Sequence, residues 1–116
     1  MISFTFMITL TPTPTGGRTW GPVNLLTWFA MEAPKYRAIP RIASARKGLA
    51  EQSYRLLMVE WRRHRHVHEN FNSTTGIGGD VPNSNPFYHW GANLAWLAFR
   101  EKMLPNAPTA GGAGLF

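Results

Sequence analysis

The chain has 116 residues, 44% of them hydrophobic, 13% aromatic and 16% charged, with no cysteine and a formal net charge of +6. A chain of that length buries one core and excludes a catalytic domain with a second module beside it. Five tryptophans and the large apolar fraction exclude a disordered chain, and the lack of cysteine excludes a disulfide scaffold or a thiolate metal site.

Residues 1–10 (MISFTFMITL) are apolar but lack a basic leading region. They are also far short of the roughly 20 apolar residues that cross a bilayer. Neither a signal peptide nor an anchor is expected, no membrane partner is predicted, and a cytoplasmic location is slightly favoured. This is also the one stretch with strand character. Residues 11–17 (TPTPTGG) alternate Thr and Pro before a Gly pair and read as a linker.

Gly21-Pro22 introduces a helix through Met31, with Pro22 in the first turn, where its missing N–H is harmless, and Pro34 as the stop. Its residues are apolar almost all round, which predicts burial on most sides. A longer amphipathic helix is predicted over residues 40–63, with Ile42, Ala45, Leu49, Ser53, Leu56, Leu57 and Trp61 at three- and four-residue spacing. Residues 70–86 (NFNSTTGIGGDVPNSNP) have no helical period and read as a long Asn/Gly-rich loop, uncommon in a compact unit unless functional. A third helix is predicted from about Tyr88 to Met103, with Trp90, Leu94, Leu97 and Ala98 on one face, ended by Pro105. Residues 105–116 read as a flexible tail. The fold class is therefore all-α, about three helices joined by a long loop.

The positive charge is local. Between Lys35 and His66 nine basic residues face Glu51 and Glu60 alone, a balance of +7, so the rest of the chain carries −1. Arginines spread over the polar face of a helix, with aromatic residues nearby, are compatible with nucleic-acid binding. They are equally the solvated face of any amphipathic helix. The second reading is preferred and no nucleic-acid partner is expected. A small basic helical module binding nucleic acid or a protein remains the alternative.

His64, His66 and His68 recur at spacing two, which on an extended strand would place three imidazoles on one face for a metal. Neighbouring Arg62, Arg63 and Arg65 repel a cation, and the same run suits the negative end of a helix. No metal and no cofactor are expected. Glu69, a carboxylate after a helix at the start of a polar loop, is placed to act as a general base. Asp80 in Gly78-Gly79-Asp80 reads as a turn residue.

Three blocks add a resemblance. They are Gly17-Arg18-Thr19-Trp20-Gly21-Pro22-Val23-Asn24, then His66-Val67-His68-Glu69-Asn70-Phe71-Asn72 with Thr75-Gly76, then Asp80-Val81-Pro82-Asn83-Ser84-Asn85-Pro86-Phe87-Tyr88-His89-Trp90-Gly91-Ala92. In this order they resemble the C-terminal part of the catalytic domain of glycoside hydrolase family 63, the mannosyl-oligosaccharide glucosidase and mannosylglycerate-hydrolase-like group. The resemblance implies an (α/α)6 toroid of helical hairpins, of which residues 17–104 would supply the last few helices, residues 1–16 falling outside the match. It implies an inverting glycosidase acting on α-linked glucosides or mannosides, with Glu69 in Glu69-Asn70-Phe71 as the general base that activates water. Phe71 departs from the aromatic commoner in the family. Trp20, Asn24, His68, Asn70, Phe87 and Trp90 become the substrate-binding set, with an oligosaccharide or small glycoside as partner. The family's general acid lies upstream, where this chain has no counterpart. Little hydrolysis is therefore expected from the isolated chain, and the missing N-terminal part of the toroid becomes a second candidate partner.

Overall fold

The structure is a computed structural model that describes residues 17–103. The expectations for residues 1–16 and for the tail lie outside the described residues. Within them the chain runs β1 (Arg18–Trp20), α1 (Gly21–Glu32), α2 (Pro40–His64), β2 (Asn70–Asn72) and α3 (Ala92–Met103), with 3-10 turns at Gly78–Asp80 and His89–Gly91. It is mostly helical with one small two-stranded sheet.

The helix ends follow from local chemistry. Pro22 and Pro40 occupy the first turns of α1 and α2, where no intrahelical partner is lost. Ala33 is extended ahead of Pro34, the backbone state that a following proline enforces, and α1 stops there. α2 ends on Arg65 in the left-handed conformation, φ 58°, with its N–H donated to the Trp61 carbonyl. Arg62, Arg63 and His64 sit in that last turn, where cations complement the negative end of the helix.

The three helices pack on one another around Trp28, Leu49, Ala50, Leu56, Leu94 and Leu97. Phe71 of β2 enters the same core, fully buried. Two expectations change here. α1 is not buried on most sides: Gly21, Asn24 and Trp28 face inward, while Leu26 and Phe29 are exposed among the described residues. Trp61, read as part of the inward stripe of α2, is exposed, while the adjacent Glu60 is fully buried, so the inward face at this end of the helix carries Leu56 and Glu60 instead.

Arg46 also departs from the picture of a uniformly solvated basic face. Its guanidinium is buried between α1 and α3, pairing with Glu32 Oε2 at 2.8 Å and Glu101 Oε2 at 2.7 Å. Glu101 also accepts the Trp28 indole N–H at 2.8 Å. The Glu101 hydrogen bond raises the Arg46 pKa above its ordinary value.

The strands at residues 18–20 and 70–72 depart from the sequence expectation, which gives the first stretch no regular element and the second to a loop. They pair antiparallel, with Arg18 opposite Asn72, Thr19 opposite Phe71 and Trp20 opposite Asn70. Thr19 and Phe71, directly opposite, are both fully buried. Leu56, also fully buried, sits mid-helix in the core. Leu56→Ala is expected to lower the unfolding free energy by about 3 kcal/mol, read from urea melts, through lost transfer energy and an incompletely filled cavity. A loss under about 1 kcal/mol would mean that the helices close over the gap.

Candidate functional site

The β1–β2 ladder and the two 3-10 turns bring distant segments together beside the C-terminal end of α2. The loop over residues 73–77 begins with Asn72, whose Oδ1 accepts the N–H groups of Thr74 and Thr75 and so starts a tight turn. Further on, the chain is stitched back onto the 67–70 segment. Ser84 Oγ donates to the Asn70 carbonyl at 2.8 Å and accepts the Asn70 N–H at 3.3 Å. Glu69 N–H donates to the Asn85 carbonyl, and Tyr88 N–H to the Val67 carbonyl. Arg18 Nη2 reaches across to the Pro82 carbonyl at 3.1 Å.

On one side of this assembly lies an aromatic cluster. Trp20 and Trp90 meet at 5.7 Å between ring centroids, and Tyr88 stands edge-on to Trp90 at 4.9 Å. Both tryptophans are half-buried. Gly21 permits the approach: a Cβ there would collide with the Trp90 carbonyl oxygen and lie 3.2 Å from its carbon. Gly91 likewise lies where a Cβ would be 2.8 Å from the His68 carbonyl oxygen. The 67–70 segment therefore runs next to the Trp90-Gly91 turn.

Glu69 is half-buried, and its carboxylate has no hydrogen-bond or ion-pair partner among the described residues. Its backbone is held between Asn85 and β2, adjacent in the ladder to the Trp20–Asn70 pair. The remaining sequence candidates separate by burial. Phe87 is 78% exposed, with its ring 4.6 Å from His66. Asn24 and Asn70 are buried; Asn24 Nδ2 donates to Ser53 Oγ at 3.2 Å, and the Asn70 amide has no partner among the described residues. Asp80 is exposed in a 3-10 turn, as a turn residue should be.

His68 is buried and faces Glu60. Its Nδ1 stands 2.5 Å from Glu60 Oε1, and the Glu60 side chain is wholly shielded from solvent. Glu60 Oε2 accepts the Gly78 N–H at 3.4 Å. Gly78 has to be glycine for this packing, since a Cβ would overlap the His68 ring. Burial pushes the His68 imidazole below its ordinary pKa, against the opposing pull of Glu60. Sequence reasoning misses Glu60 by taking its charge as solvated, although its spacing of four from Leu56 and three from Leu57 puts it in line with the apolar stripe. Its place eight residues before His68 becomes meaningful only once Arg65 turns the chain back.

Comparisons of the chain with protein-family models, with curated proteins and with solved structures find no match.

Proposed function

We propose that the chain is part of an inverting glycoside hydrolase of the family 63 kind, acting on α-linked glucosides or mannosides, with Glu69 as the general base. The observation that carries the reading is the meeting of the three resembling blocks. β1 pairs with β2, Trp20 packs on Trp90, and the 84–88 segment is hydrogen-bonded to the 67–70 segment. Blocks that resemble a sugar site in order and spacing are thus also neighbours in space. Trp20 and Trp90 form the aromatic platform on which the C–H face of a sugar ring would stack, and the unpaired Glu69 carboxylate lies next in chain to the ladder that carries Trp20.

Supporting the toroid, α1 and α3 expose Leu26, Phe29, Trp96 and Phe99 among the described residues, an apolar surface suited to a neighbouring hairpin. Glu32 and Glu101 serve Arg46, Glu60 serves His68, and Asp80 lies in a turn. Glu32, Glu60 and Glu101 are thus not free to complete an inverting pair, whose carboxyls stand about 6.5–9.5 Å apart. Glu51 and Asp80, both exposed, do not match the acid's motif in the resemblance. The general acid is accordingly assigned to another segment of the toroid.

The test is a titration of the chain with α-glucosides, α-mannosides and a protonated iminosugar, following the tryptophan indole N–H resonances. Shifts at Trp20 and Trp90 in the millimolar range are expected, without hydrolysis. Glu69→Gln should weaken the iminosugar about tenfold, through the lost charge-assisted hydrogen bond, and leave neutral sugars unchanged. Silence at both tryptophans with every sugar would sink the reading.

The alternative, a basic module for nucleic acid or a protein, draws on exposed Arg41, Lys47, Arg55, Arg62, Arg63 and Arg65. It requires salt-dependent RNA or DNA binding that persists in Glu69→Gln and disappears when Arg62 and Arg63 are neutralised.

A further inference from the structure

The left-handed Arg65 folds the residues after α2 back over the helix end, and this brings together groups that the helix itself would scatter. Glu60 lies on α2 one turn before its end, whereas His66 and His68 lie beyond it. One ligand atom from each of Glu60, His66 and His68 falls within 4.8 Å of the others. The rings line up as well: His64 stacks on His66 at 5.4 Å between centroids, and His66 meets His68 at 5.1 Å.

We propose that Glu60, His66 and His68 form a binding site for a divalent late transition metal, with Zn²⁺ as the best-fitting ion and a solvent molecule as the fourth ligand. Two imidazoles and one carboxylate with an open position are a donor set that Zn²⁺ takes readily. A tetrahedral ion with bonds of about 2.1 Å holds its ligand atoms about 3.4 Å apart. The cluster brackets that spacing, with Glu60 and His68 at 2.5 Å and the whole triad inside 4.8 Å. Binding requires the 2.5 Å Glu60–His68 contact to open by about 1 Å to reach that spacing.

Burial supplies an independent argument. Glu60 is wholly shielded, and its only other polar contact among the described residues is a long 3.4 Å hydrogen bond from Gly78. A carboxylate so placed is costly unless a cation or strong donors compensate it, and a bound dication does so directly. His66 is only half-buried, which leaves an entry path from solvent. Arg62, Arg63 and Arg65 are exposed and water-screened, so their repulsion of the ion is weak. Bound there, the metal clips the end of α2 to the 66–68 segment. This inference does not depend on the glycosidase reading, which rests on Glu69 and the tryptophan pair, but it takes His68, buried against Glu60, out of the expected sugar-binding set.

The test is a titration of the tag-free, chelator-treated chain with Zn²⁺ by calorimetry, and with Co²⁺ by visible absorption. Expected are one ion per chain, a Zn²⁺ dissociation constant of about 1 μM or tighter, and the d–d bands of four-coordinate Co²⁺. His66→Ala leaves the Glu60–His68 contact intact and should keep the circular dichroism of the parent. It should weaken Zn²⁺ at least about tenfold. Exposed His89, outside the cluster, is the control, and His89→Ala should bind as the parent does. Glu60→Gln adds a ligand loss without the charge, with His66→Ala deciding the matter if that variant misfolds. Parent binding weaker than about 100 μM, or a folded His66→Ala that binds as tightly as the parent, overturns the site and leaves Glu60–His68 as a structural pair.

Discussion

Arg46→Met should lower the unfolding free energy by about 3 kcal/mol and the melting temperature by about 15 °C. The substitution keeps most of the side-chain volume but leaves two carboxylates without their cation. Glu101 and Glu32 are only 11% and 20% exposed, so water recovers little of that loss. Glu101 would also hold the Trp28 indole N–H without the counter-charge that now positions it. Two-state denaturant melts give the value, and combining Arg46→Met with Glu101→Gln should recover part of it, because the partner charge goes too. A loss no larger than about 0.5 kcal/mol, the scale of an exposed surface pair, would show that the cluster is hydrated in solution.

Gly21→Ala should cost a similar amount, about 3 kcal/mol, for a steric reason. The new Cβ falls on the backbone carbonyl of Trp90, which cannot swing aside as a flexible side chain would. Relief requires α1 to shift from the His89–Gly91 turn, and that separates Trp20 from Trp90. The loss should therefore come with changed near-ultraviolet circular dichroism from the tryptophan pair and with weaker sugar-induced shifts at both indoles. Parental stability and an unchanged tryptophan signal in the Gly21→Ala variant would mean that the turn yields without disturbing the pair.

The helices are legible in the sequence because their signals are local. Pro22 and Pro40 mark first turns, Pro34 marks a stop, and the spacing of Leu49, Ser53 and Leu56 marks the buried face of α2. The strands are not legible. Arg-Thr-Trp and Asn-Phe-Asn are three residues each, too short for alternation to stand out, and each is extended because of a partner far along the chain. Charge misleads as well. Arg46 and Glu60 stand at three- and four-residue spacing from Leu49, Ser53 and Leu56, on the buried face of α2, so it is their residue type and not their position that reads as solvent-facing. Within the candidate site, Trp20, Glu69 and Trp90 come from the resemblance, whereas the Glu60–His68 contact carries no sequence signature.

The same long-range stitching governs when the site exists. Arg18 bonds a carbonyl 64 positions away, and Trp28 a carboxylate 73 positions away. Closing a loop of either length costs about 4 kcal/mol of chain entropy, met only once the helices have docked. Helices form within about a microsecond, so the ladder and the tryptophan pair are expected to arrive late in folding. Their amides should then exchange with solvent more readily than those of the helical core, since what docks last opens first. A substitution deep in the helical core, touching neither Trp20 nor Glu69, would thus reduce the fraction of molecules that have any site, while leaving its geometry unchanged in those that do.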